Sequence, residues 1–177
     1  MTPGGAPVRP GVGATLRSLQ RALRAEIHLH RELERRAAQV RDAVVCRDVP
    51  ALREATAAQS AALGALGGVS GQVREALAAA AALLGEPEAA DIRALGEALG
   101  RRGLAAEAAA LEALRAEVVA AAGRAHRASA ECAPLLRQAL AFTGFVLSLL
   151  VAPGPGAPYT PDGHAGLSRR ALLDARL

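Results

Sequence analysis

The chain has 177 residues, 51% of them hydrophobic but only 2% aromatic, and a net charge of +4. About a quarter of the residues are Ala, and all 21 basic residues are Arg. The absence of Lys excludes a Walker-type phosphate loop, a Schiff base and a Lys general base, and no run of β-branched and aromatic residues alternates as a strand would.

Ala favours helix strongly but buries little surface per residue. Stability must therefore come from long helices packed closely along their length. The expected class is all-α: an elongated antiparallel helical hairpin or up-down bundle with long, coiled-coil-like helices. The chain divides into a disordered N-terminal tail (1–13), a helical bundle domain (14–152) and a Pro/Gly hinge with a C-terminal tail (153–177). The tail at 1–13 holds three Pro and four Gly and has no apolar core of a signal peptide.

Thr15 is placed to cap the first helix. Leu16, Leu19, Leu23, Ile27, Leu33, Val40 and Val44 form one apolar stripe. This helix ends near Arg47, where Asp48 caps the next and Pro50 occupies its first turn at no hydrogen-bond cost. The second helix carries Leu52, Ala55 and Leu63 and is expected to stop at Gly67–Gly68. Ser70 then caps a third piece with Val73, Leu77, Ala80 and Leu84, ended by Gly85. A turn at the glycine pair would send this piece back antiparallel to the first helix.

After Glu86-Pro87-Glu88, a short helical segment contains Ile92, Leu95 and Leu99, weakened by Gly96, Gly100 and Gly103. From Leu104 to about Val151 lies the longest pattern. Leu104, Leu111, Val118, Ala125, Cys132, Ala139 and Val146 keep seven-residue spacing. Ala108, Ala122, Leu136, Thr143 and Leu150 fill a partner row four residues on, interrupted by Arg115 and Ser129. Pro134 is expected to kink this helix, whose length approaches roughly 70 Å at helical rise. Cys46 and Cys132 read as small buried hydrophobes in a reducing cytoplasm.

The basic pI invites a nucleic-acid reading. Arg17 to Arg41, however, interleave with Glu26, Glu32, Glu34 and Asp42, as on a solvated helix face, and no aromatics stand ready to stack on bases. No nucleic-acid partner is expected. The apolar run Leu140 to Ala152 is too short to span a bilayer, which needs roughly 20 residues, so stable membrane insertion is not expected either. His28 and His30 point to different faces of one helix, and His126 and His164 stand alone. No metal site, cofactor site or catalytic constellation follows. The chain reads as a binding protein rather than an enzyme.

All three aromatics, Phe142, Phe145 and Tyr159, lie near one end. There a long helix turns apolar, reaches the hinge PGPGAPYTPDG and passes into a tail with Leu167, Leu172, Leu173 and Leu177. Such a tail is too short to fold alone but can dock as an amphipathic helix. Two readings of this end compete. Phe142 and Phe145 are either core residues or anchors for a partner, and Tyr159 either packs over the bundle end or joins them.

Several segments together carry a resemblance: RDVPALREATAAQSAAL (Arg47 to Leu63), GEPEAADIRAL (Gly85 to Leu95), LLRQALAFTGFVLSLL (Leu135 to Leu150) and PYTPDG (Pro158 to Gly163). From about residue 15 to 163 the chain resembles the FlgN family of bacterial flagellar export chaperones. It departs from the family where Ser129 and Cys132 stand in place of paired Asn, and where Tyr159-Thr160 replaces Tyr-Gly.

The resemblance implies a cytoplasmic, ATP-independent chaperone. It would hold hook-associated proteins 1 and 3, the hook–filament junction subunits, monomeric and deliver them to the flagellar export gate. It also implies that the C-terminal region contacts the client, which maps here onto Phe142, Phe145, Leu149, Tyr159, Pro161, Asp162, Gly163, Leu167, Leu172 and Leu173. The alternative is a structural coiled-coil protein that self-associates, for instance as a homodimer, through its Ala-rich seam. A third reading, an Arg-rich binder of membrane or nucleic-acid surfaces, requires steep salt dependence.

Overall fold

The computed structural model describes residues 11–150, except residues 88 and 90 and the side chains of Leu149 and Leu150. Of the expected tails at 1–13 and 153–177, residues 1–10 and all of 153–177 lie outside the described residues, as do residues 151 and 152. Four helices follow in order: α1 (Val12–Cys46), α2 (Val49–Leu84), α3 (Ile92–Arg101) and α4 (Ala105–Leu150). The chain divides into two compact units, Met1–Ala139 and Leu140–Leu177.

In the first unit, α1 and α2 form an antiparallel hairpin. Glu26 accepts a hydrogen bond from the Ser70 hydroxyl at 3.1 Å, while Leu33 clusters with Ala62. The hairpin turn lies at Arg47–Asp48, about twenty residues earlier than the glycine pair proposed for it. Arg47 adopts a left-handed conformation (φ 57°), and its N–H and that of Asp48 close on the carbonyls of Val44 and Ala43. Asp48 then caps α2, accepting from the Ala51 N–H at 2.9 Å, with Pro50 in the first turn. Both signals were legible in the sequence.

The expected break at Gly67–Gly68 does not occur. α2 runs unbroken through Gly64, Gly67, Gly68 and Gly71. Isolated glycines in a helix cost roughly 0.5–1 kcal/mol each, and packing against α1 offsets this. Val73, Leu77, Ala80 and Leu84 all bury into the shared core. Ser70 is therefore no cap, and its hydroxyl serves the interhelical bond to Glu26 instead.

Thr15 is likewise interior. α1 starts from Gly11, and the Thr15 hydroxyl donates back to the Gly11 carbonyl at 3.1 Å. Val12, expected within the tail, is buried in the core.

α2 ends at Gly85, in a left-handed conformation (φ 66°), as glycine permits without Cβ strain. Asp91 caps α3, accepting from the Ala94 N–H at 2.7 Å. α3 is short but buries Leu95, Ala98 and Leu99 completely. It also closes the end of α2: the Arg102 guanidinium donates to the Leu84 carbonyl, and Arg101 pairs with Glu86 at 3.0 Å. A last turn at Gly103 (φ 78°) separates α3 from α4.

Through Ala139, α4 packs parallel to α1. Arg31 meets Glu117 at 2.6 Å, Arg124 meets Glu34 at 3.2 Å, and the Cys132 thiol donates to the Ala37 carbonyl at 3.0 Å. Leu111, Ala125 and Cys132 of the heptad row are buried. The second buried row lies three residues on, with Leu114 and Ala121, whereas in the expected row four residues on Ala108, Ala122 and Leu136 are only partly covered and Thr143 is exposed. The Arg115 and Ser129 interruptions in that row mark the less buried side of the helix. α4 continues through Pro134.

The core joins Leu16, Leu19, Leu23 and Ile27 of α1 to Leu77 of α2, Leu95 of α3 and Leu111 of α4. Each such side chain contributes about 1.5–3 kcal/mol when fully buried. Among the described residues the core contains no buried polar or charged residue. Leu63, expected in the apolar stripe, is 54% exposed, and Ala62 occupies the core position instead.

Candidate functional site

Phe142 and Phe145 lie in the second unit, on the last three turns of α4. Each is 60% exposed. Spacings of three and four residues align side chains on one helix face, so the two rings share a face.

Leu140 and Leu147 are exposed as well, at 72% and 55%. Seven residues separate them, so they share a second face, about 180° around the helix from the midpoint of the two phenylalanines. The apolar run Leu140 to Ala152 reads from the sequence as a buried or partner-facing helix end, but it singles out neither leucine as a site residue. The signal that marks them is that neither belongs to the heptad row of Cys132, Ala139 and Val146.

A helix that is apolar on opposite faces is normally covered on both. Here Leu140, Phe142, Phe145 and Leu147 remain open in the isolated chain. Charge is absent from residues 138–150, so no ionised side chain opposes apolar contact. The Ser148 hydroxyl donates to the Phe145 carbonyl at 2.7 Å. This arrangement can grip an apolar or amphipathic segment by burial.

Of the other expected site residues, the Leu149 side chain and all of Tyr159, Pro161, Asp162, Gly163, Leu167, Leu172 and Leu173 lie outside the described residues. Among the described residues no group of three or more His, Cys, Asp or Glu is placed to hold a metal ion. None of the described helices is long and apolar enough to cross a membrane.

The family model described as FlgN protein matches residues 15–166. The chain belongs to the FlgN family. No curated protein and no solved structure matches it. FlgN proteins are flagellar export chaperones, and the match extends from the first turn of α1 through the exposed apolar end of α4 to residue 166. Of the two positions where FlgN relatives are expected to carry Asn, Cys132 is buried and bonded to α1 while Ser129 is partly covered. In this chain Cys132 supplies a polar link between α4 and α1.

The two cysteines differ. Cys132 is buried, as expected, but Cys46 is exposed at the last residue of α1. The helix ends there and no element packs over it, so its apolar character finds no core. Burial raises the Cys132 thiol above its ordinary value, against the lowering influence of Arg41.

Proposed function

We propose that this FlgN-family chaperone holds hook-associated proteins 1 and 3, the hook–filament junction subunits, in the cytoplasm and delivers them to the flagellar export gate. The client site comprises Phe142, Phe145 and Leu149 with the following segment from Tyr159 through Pro161, Asp162 and Gly163 to Leu167, Leu172 and Leu173. The observation that carries this reading is the exposure of Phe142 and Phe145, with Leu140 and Leu147, on an uncharged helix end.

Junction subunits polymerise through terminal amphipathic helices, and a free helix of that kind invites premature assembly. Covering its apolar face on Phe142 and Phe145 withholds it. Each large side chain buried in such a contact contributes about 1.5–3 kcal/mol, enough for a reversible hold. Binding and release then need no nucleotide and no chemical step, so the protein acts as a binder and not as an enzyme.

The test is co-purification with the C-terminal helical segment of a hook–filament junction subunit, using the full chain and a chain cut after Ala152. Retention by the full chain and loss on truncation supports a site that includes the tail. Retention by both restricts the site to the helix end. Retention by neither, together with concentration-dependent mass, favours a self-associating helical protein.

A further inference from the structure

The first 25 residues contain Arg9, Arg17, Arg21 and Arg24 and not a single Asp or Glu. Three of these fall in α1 at spacings of four and three, so they stand on one face over a rise of about 10.5 Å. All three are exposed. Among the described residues none of them forms an ion pair. Further along the same helix, Arg31, Arg35, Arg36 and Arg41 each have a carboxylate partner. The mixed-sign surface read from the sequence is thus confined to the later part of α1.

Beside this stripe runs a shallow groove of about 760 Å³ between α1 and α2. Small side chains line it, with Ala14, Ala22 and Ala25 from one helix and Ala76 and Ala79 from the other. Arg21 stands in its lining, facing Gln72 and Glu75, yet forms no ion pair with Glu75. A second hollow of about 520 Å³ lies among Arg17, Gln20, Arg21 and Arg24. Small residues let a further helix approach closely, and flanking charges set which helix is accepted.

We infer that the α1–α2 groove docks a helix of a partner protein that carries carboxylates at i, i+4 and i+7 beside a small apolar seam, the carboxylates pairing with Arg17, Arg21 and Arg24. The charge of the remaining chain excludes the nearer occupants. Residues 1–10 bear Arg9 and no acid, and residues 151–177 bear three Arg against two Asp. A second copy matches poorly too, since no two Asp or Glu of this chain stand four residues apart and none of its helices offers carboxylates at i, i+4 and i+7. A membrane surface fits less well, since none of the exposed large hydrophobic residues among those described lies on this stripe and interfacial helices insert such residues.

The test uses the full chain and a synthetic Ala/Leu-based helical peptide with Glu at i, i+4 and i+7, followed by fluorescence anisotropy, with a Gln-for-Glu peptide as control. The expected result is binding of the Glu peptide that weakens with salt and falls about tenfold in R17Q/R21Q/R24Q, at three exposed pairs of ordinary strength. Ala25→Glu, which places bulk and negative charge in the groove, is expected to weaken binding as well. Both variants should keep the wild-type circular dichroism spectrum.

Failure of the Glu peptide to bind, equal binding of the Gln peptide, or unchanged binding by the triple variant overturns the inference. Two further arms do the same. Vesicles of mixed zwitterionic and anionic phospholipid that compete the peptide away would assign the stripe to a membrane. A wild-type dimer in sedimentation that the triple variant loses would assign it to a second copy. The outcome is independent of the client site, because Phe142 and Phe145 are intact throughout.

Discussion

The Cys132 thiol donates to the Ala37 carbonyl at 3.0 Å across the α1–α4 interface. A helical carbonyl already accepts its backbone bond, so the thiol adds a second donor from another element. The contact sits in the heptad row of α4, at a position buried against α1.

Thiol reactivity follows from this placement. Cys46 is exposed and Cys132 is buried with its thiol raised by desolvation. An aromatic disulfide reagent should therefore modify one thiol rapidly in the native protein and the second only with unfolding. Substituting Cys46→Ser should remove the rapid phase, and equal rates for both thiols would contradict the packing.

The same shift gives a pH dependence with a definite sign. A thiol whose folded pKa lies above its ordinary value of 9.0 releases its proton more readily in the unfolded chain. Its stabilising contribution is full below 9.0 and declines as pH rises past that value toward the folded pKa. Urea midpoints of wild type and Cys132→Ala should converge between neutral pH and about pH 10. Parallel curves would show that the thiol titrates alike in both states.

The continuity of α2 can be tested at its glycines. A Cβ added at Gly67 or Gly68 meets nothing within 4 Å. Ala at either position should raise stability by about 0.5–1 kcal/mol, read from the urea midpoint. At Gly85, where φ is +66°, Ala should instead lower it by about 1 kcal/mol. Destabilisation at Gly67 and Gly68 would indicate a break there after all.

Core and partner surface should separate cleanly. Leu95 is fully buried, and Leu95→Ala should cost about 2–5 kcal/mol of stability. Phe142→Ala with Phe145→Ala should change stability by no more than about 0.5 kcal/mol, as exposed positions do, while weakening capture of the junction-subunit segment. A large drop in melting temperature for the double variant would make these rings core residues.

The helix caps offer a smaller, local check. Asp48→Ala and Asp91→Ala each remove an acceptor from an N-terminal N–H and should cost about 1 kcal/mol. The Asn variants should retain most of that stability. A loss in the Asn variants equal to that in Ala would point to charge and not to capping.

Sequence alone determined what depends on local chemistry and periodicity. The Asp48 cap with Pro50, the Gly85 stop, the Leu16–Leu19–Leu23–Ile27 stripe and the heptad row of α4 each follow from a few adjacent residues, and so does the all-helical class. The segments that resemble the FlgN family were equally legible.

Tertiary structure decided whatever depends on packing between distant residues. Gly67 and Gly68 look like a break, but burial of Val73, Leu77 and Ala80 against α1 keeps the helix whole and moves the turn to Arg47. Leu114 and Ala121 became the second core row because α4 presents that side to the other helices. Arg17, Arg21 and Arg24 stand without an ion pair among the described residues, although the sequence places acids only a few residues on. Whether an apolar or charged side chain is covered depends on which elements meet there, and only the assembled fold sets that.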